Sequence, residues 1–280
     1  MISLSFPHSH VTLFSPWSLN TSPRGLNVLR EASLPLPSEE DFPSGDEYRN
    51  TYLLPIADHL AALPNVSILY NTKCVSASKS QGILKGDMGA ARRTPFRVLT
   101  ETAEGVESVL CSDYLVDCSG SWGNNNPVGA NGALAPGERR LRSQGLVETG
   151  LPSPSSLGAL VSKSIAVVGS GASAITFISS LRQAALAAPN PTTVHWITRR
   201  SSSPLYTRVK DDPLPQRDAL SVLANDLVEK GGDGEQFVLR HYGGTGIEAL
   251  DSEVEGGMAS ITLAGSGQMI KVDKIISATG

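Results

Sequence analysis

Residues 165–174 read Ile-Ala-Val-Val-Gly-Ser-Gly-Ala-Ser-Ala, and Thr198-Arg199-Arg200 follow further on. The apolar run 165–168 predicts a strand buried on both faces of a parallel sheet. Gly169 permits a tight turn. Ser170 follows it, and Gly171, with no Cβ, lets a phosphate approach the backbone. Ala172 and Ser173 open a helix predicted over 172–187, and Ala174 stands at the third small position, where helix and strand pack closely. The amides at that helix start suit an anion. Residues 193–198, Thr-Val-His-Trp-Ile-Thr, predict a second strand. An NAD site places an acid near the end of that strand; here Arg199 and Arg200 stand there instead, charges suited to a 2′-phosphate. The layout points to an NADP site. The alternative is a glycine turn in an ordinary βαβ unit with two surface arginines.

The 280-residue chain has room for one large or two ordinary domains. Its net charge of −4, with no basic stripe, argues against a nucleic-acid partner. No apolar run approaches the roughly 20 residues that span a bilayer, so no transmembrane segment is expected. Residues 1–7 lack the basic start and apolar core of a signal peptide, which makes the cytoplasm the expected location. Cys74, Cys111 and Cys118 form no CxxC pair. That removes a redox disulfide of the thioredoxin-reductase type and a Cys-rich zinc site. His8 and His10 read as loop residues, so no metal site is expected.

Three regions are predicted: residues 1–125, an excursion over 126–160 rich in Gly, Pro, Ser and Asn, and residues 161–280. In the first, 10–14 reads as a strand and 15–45 as loop. A helix is expected from an Asp46 N-cap to about residue 63, kinked or split at Pro55. Strands are expected at 66–75, 96–100, 107–111 and 114–118. In the last region a helix over 218–230 stops at glycine, and short strands follow at 237–241, 247–250, 259–263, 269–272 and 274–277. One pattern occurs twice. Asp113-Tyr-Leu-Val-Asp-Cys-Ser-Gly120 and Asp273-Lys-Ile-Ile-Ser-Ala-Thr-Gly280 each run from an acid through a strand to a small residue, a hydroxyl residue and glycine. Small residues at a strand's carboxyl end let backbone lie against a nucleotide.

With these motifs the chain resembles the flavoproteins built from two dinucleotide-binding domains, among them flavin-containing and Baeyer–Villiger-type monooxygenases. The resemblance implies an α/β fold, with a Rossmann-like NADP domain carrying a β-meander, joined to an incomplete Rossmann-like FAD domain. It implies that 165–174 is the NADPH fingerprint, that Ser119 and Gly120 close the FAD half, and that Thr279 and Gly280 close the NADPH half. It also implies that the Val75 backbone meets the adenine side of FAD. The expected cofactors are NADP and FAD, and the expected activity passes hydride from NADPH to flavin, then to oxygen or another acceptor, for a small-molecule substrate. The flavin half departs from the pattern. Such proteins carry a GxGxxG loop there; an interval as long as that between Gly169 and Gly280, counted back from Gly120, reaches Ser9, and a longer one reaches Met1 or beyond. The chain is therefore read as truncated at both ends. The Phe-x-Gly signature of the oxygenases is absent upstream of residue 165. No catalytic residue is assigned. A degenerate NADP-binding module without flavin is the alternative; a flavin-free Rossmann dehydrogenase lacks support, because there is no Tyr-x-x-x-Lys pair.

Overall fold

The computed structural model describes residues 10–80, 89, 94–120, 124–201, 204–231, 234–252 and 257–280. It divides into two compact units: one takes in Thr21–Leu36 and Tyr48–Gly123, the other Pro7–Asn20, Pro37–Glu47 and Asn124–Gly280.

Local chemistry sets the helices of the first half. The stretch 15–45, expected as loop, contains α1 (Trp17–Asn20) and α2 (Pro23–Glu31). Ser22 caps α2 by accepting the Gly25 amide at 3.1 Å, and Pro23 fills the first turn, where no amide is needed. That Ser-Pro start outweighs the Gly and Pro content that suggested loop. The next helical run begins two residues earlier than expected. Ser44 and Glu47 exchange hydrogen bonds of 2.7 and 3.2 Å as a capping box, so Ser44 and not Asp46 opens α3 (Gly45–Tyr48). Pro55 is accommodated by a π turn over Arg49–Leu53, and the chain continues as α4 (Leu54–Ala61). Residues 10–14 form only an isolated bridge, Thr12 to Ser44.

In the first unit, β1 (Thr72–Lys79), β2 (Phe96–Thr102) and β3 (Glu107–Ser112) form an antiparallel sheet in the order β1-β2-β3. The first of these lies later than the expected 66–75. The expected strand at 114–118 does not form: Tyr114 is 87% and Val116 80% exposed, and the segment joins no ladder among the described residues. A strand forms only against a neighbour that takes up its backbone hydrogen bonds, and none is described here for 114–118.

The second unit has three layers. Its middle is an all-parallel sheet in the order β4-β11-β5-β6-β7, built from β4 (Val147–Thr149), β5 (Ser164–Val168), β6 (Thr192–Thr198), β7 (Phe237–Gly243) and β11 (Lys274–Ser277). The stretch read as an excursion thus supplies β4 and the helix α5 (Glu138–Ser143); α6 (Pro154–Leu157) follows. The sequence of β5 explains the layering. Ile165 and Val167 face a core shared with α7 (Ala172–Ala185) and α8 (Pro215–Lys230), where Phe177, Ile178, Leu181 and Leu227 are buried. Ala166 and Val168 face the opposite core, with Ile261, Leu263, Ile270 and Val272. Those come from an antiparallel meander of β8 (Ile247–Ser252), β9 (Ala259–Leu263) and β10 (Met269–Val272). Each such large apolar side chain contributes about 1.5–3 kcal/mol on burial. The strand–helix–strand unit predicted from 165 to 198 is therefore present, flanked by the predicted meander. Among the described residues no helix is long and apolar enough to cross a membrane.

Candidate functional site

The parallel strands of the second unit end at one edge. Strand β5 is where the order reverses, with β6 on one side and β11 on the other. In open α/β sheets a crevice forms outside the strand ends at such a reversal.

Gly169 leaves β5 with φ +121. A Cβ there would stand 2.2 Å from the Ala278 carbonyl oxygen, so the turn packs directly on the chain leaving β11. The Gly169 amide donates to the Ile197 carbonyl at 3.0 Å, and its own carbonyl accepts the Trp196 indole N–H at 2.8 Å. Gly171 is different. Its φ of −82 suits any residue, and a Cβ would meet no protein atom within 4 Å. Gly171 is the N-cap of α7; no side chain caps that end, and its first turn holds no acid. An uncapped helix start presents free amides and a partial positive charge. Ser170 and Ala172 are half-buried, Ser173 is exposed and Ala174 is fully buried.

Arg199 and Arg200 follow β6, both exposed. Arg140, Arg142, Arg208 and Arg217 are paired with Asp251, Glu138, Asp218 and Asp212. Neither Arg199 nor Arg200 has an ion-pair partner among the described residues. The Arg200 backbone is fixed: its carbonyl accepts the Thr198 hydroxyl at 2.8 Å and the Gly244 amide at 3.0 Å. Thr198 Oγ1 also lies 2.8 Å from His241 Nε2. With its one proton given to Arg200, Thr198 accepts from the imidazole N–H.

Tyr206 closes the same corner. Its hydroxyl donates to the Ser170 carbonyl. Burial pushes the phenol up to about 12, against the opposing pull of the Arg200 charge and the Ser170 hydrogen bond, so it stays protonated and serves as a donor. On the other side of β5, Asn126 ties down the chain end. The Thr279 hydroxyl donates to the Asn126 carbonyl at 2.8 Å, and the Asn126 side-chain and main-chain N–H groups donate to the carbonyls of Thr279 and Gly280, each at 3.2 Å. Glu138, fully buried, accepts the Val128 and Ala135 amides and the Arg142 guanidinium; Arg142 also donates to Thr149 at the end of β4.

The structure thus brings Gly169–Ala174, Arg199–Arg200 and Thr279–Gly280 to one unit and one sheet edge. Val75, Ser119 and Gly120 belong to the other unit. Val75 is exposed at a bulge of β1, where the register shifts between Cys74 and Ser76. Ser119 folds back on Asp117, to which both its amide and its hydroxyl donate. Tyr206, Trp196 and Asn126 were not legible as parts of a site. Each acts on a main-chain carbonyl or amide far away in sequence, and no spacing pattern encodes that. His8 lies outside the described residues, among which no group of three His, Cys, Asp or Glu side chains could hold a metal. A cavity of about 510 Å³ lies on the helical side, lined by Phe14, Leu151, Phe177, Leu220 and Leu223 among others, and shares no residue with the glycine corner.

No protein-family model and no curated protein matches the chain. Solved structures do. The FAD-bound cadaverine monooxygenase of desferrioxamine biosynthesis from Erwinia amylovora matches with a TM-score of 0.51 at 16% identity, over 97% of this chain and 68% of that one. The bacillithiol disulfide reductase of Staphylococcus aureus gives 0.59 at 13% identity, over 96% and 62%. The ornithine hydroxylase of Pseudomonas aeruginosa gives 0.53 at 16% identity, over 93% and 66%. The chain spans about two thirds of the length of these structures. Together with the parallel sheet and its meander, the matches show that this chain has the fold of the flavoprotein oxidoreductases built on two dinucleotide-binding domains.

Proposed function

We propose that the unit containing residues 161–280 binds NADP(H), and that the chain serves FAD-dependent, NADPH-using oxidation of a small-molecule substrate in the cytoplasm, as a monooxygenase-like enzyme. One observation carries the coenzyme reading. A glycine turn opens an uncapped helix at the sheet's reversal point, and two exposed arginines without an acidic partner follow the adjacent strand. The turn and the amides of Ala172 and Ser173 would take the pyrophosphate, and Arg199 and Arg200 the 2′-phosphate. Thr279 and Gly280 would border the nicotinamide side. The bound coenzyme supplies a hydride; this chain supplies placement and charge.

The residues of the first unit fit a flavin poorly. Among those described, no glycine turn leads into an uncapped helix, and the 114–120 segment is exposed. That observation supports a second reading, an NADP-binding module without flavin. The colour of the purified protein separates the two: flavin absorbance supports the first, and a colourless protein that still binds NADPH supports the second.

The coenzyme reading is tested by the double variant Arg199→Ala, Arg200→Ala. NADPH affinity should fall about 10- to 100-fold, a loss of about 1.4–2.7 kcal/mol shared by the two exposed guanidinium groups, while NADH affinity changes little. Equal losses for both coenzymes, read by fluorescence titration, would refute the assignment of the 2′-phosphate.

A further inference from the structure

Three features converge on Tyr206. Leu205 before it is buried in the core with α7 and α8, at 1% exposure. The Tyr206 amide donates to Asn225 Oδ1 at 3.0 Å, and Asn225 Nδ2 donates back to the Tyr206 carbonyl at 3.0 Å. Asn225 sits on α8, so the main chain at 206 is pinned to a helix. The side chain then reaches the carbonyl of Ser170, the residue between the two glycines of the turn. The phenol therefore stands at the start of the glycine turn, and β6, which leads into Arg200, is hydrogen-bonded to that turn through Ile197. A phenol there has one proton to give. A phosphate dianion is a stronger acceptor than a peptide carbonyl.

Building on the NADP(H) reading, we propose that Tyr206 is a specificity-determining residue of the coenzyme site. Its hydroxyl, held ready on the Ser170 carbonyl by the Asn225 clamp, transfers its hydrogen bond to the 2′-phosphate gripped by Arg199 and Arg200. Tyr206 thus completes the phosphate pocket from the loop after β6, a position that no glycine or arginine pattern marks.

The test uses the whole chain and calorimetric titration with 2′,5′-ADP and with 5′-AMP, which carry the adenosine end without nicotinamide or flavin chemistry. Tyr206→Phe keeps the ring and removes the donor. It should weaken 2′,5′-ADP about tenfold and leave 5′-AMP unchanged, as expected for one hydrogen bond to a charged group. Equal weakening of both ligands would make the tyrosine a prop for the turn alone and overturn the proposal, and so would unchanged binding of both. Asn225→Ala keeps the phenol but frees its main chain. It should lose part of the same preference, and a full preference retained there would also count against the proposal. The two readings fail differently. A wild-type chain with no preference for 2′,5′-ADP sinks the NADP(H) assignment itself, whereas a preference that survives Tyr206→Phe sinks only the role of the tyrosine.

Discussion

At the scale of single residues, two glycines two positions apart do different work. Gly169 answers to the chain itself: with φ +121 and the Ala278 carbonyl where a Cβ would go, Gly169→Ala must move backbone. Its cost should be about 2–4 kcal/mol, read from the urea midpoint. Gly171 has ordinary backbone angles and open space. Gly171→Ala should cost about 1 kcal/mol or less, the penalty of alanine at an N-cap, yet weaken NADPH at least tenfold, because a methyl group occupies the phosphate approach. Loss of stability at both positions with no effect on coenzyme would make the turn purely structural. His195 carries a pH dependence. It is buried against Tyr242, its ring stacked at 5.8 Å, and burial together with the nearby Arg240 charge lowers it from 6.5 to about 4. The unfolded chain therefore binds the proton first as the pH falls. The stability tied to a neutral His195 is complete above about pH 6.5 and is lost as the pH drops toward about 4. Urea midpoints measured between pH 7 and 4.5 should fall in the wild type and fall less in His195→Gln; parallel curves would contradict this.

At the scale of elements, the arginine pair is aimed by a strand it does not belong to. The end of β7 holds it: His241 supports Thr198, Gly244 donates to the Arg200 carbonyl, and a Cβ on Gly243 would come within 3.0 Å of that same oxygen. Gly244 has φ +72, and a Cβ there would stand 2.7 Å from the Ser201 side chain. Gly244→Ala should therefore shift the 199–201 loop and raise the NADPH dissociation constant several-fold more than that of NADH. A titration showing equal change for both would detach β7 from coenzyme choice. This dependence also explains what could be read from sequence. The β5–α7–β6 unit was legible because each part is encoded locally: apolar strand, glycine, small residues, helix. The helix α2 carried its signal too, in Ser22-Pro23, but its neighbours' Gly and Pro content obscured it. The pattern shared by 113–120 and 273–280 yields a strand only in its second copy, because a strand exists only with partners. Ile275 and Ile276 are fully buried between β4 and β5, whereas Tyr114 and Val116 face solvent. Tyr206, Asn126 and His241 act across dozens of residues, and local spacing does not record that.

At the scale of the whole molecule, burial is unevenly shared. Among the described residues of the first unit, Leu29, Tyr52 and Val98 are the buried large apolar side chains, and on its sheet Val75, Val109 and Leu110 are each more than 40% exposed. The second unit has two cores, one on each face of the parallel sheet, with Ile165, Val167, Trp196, Phe177 and Ile276 essentially inaccessible. Hydrophobic stabilisation scales with the apolar area removed from water, so the opening free energies of the two units should differ by several kcal/mol. Hydrogen exchange on the intact chain should show amides of β1–β3 exchanging rapidly in buffer, while those of β5, β6 and β11 exchange only near the urea midpoint. Saturating NADPH should slow exchange further at 165–175 and 197–206 and leave β1–β3 as they were, since a ligand protects the structure it binds. If β1–β3 and β5–β6 exchange at one common rate at every urea concentration, stability is shared by the whole chain. The thin core of the first unit would then not limit it.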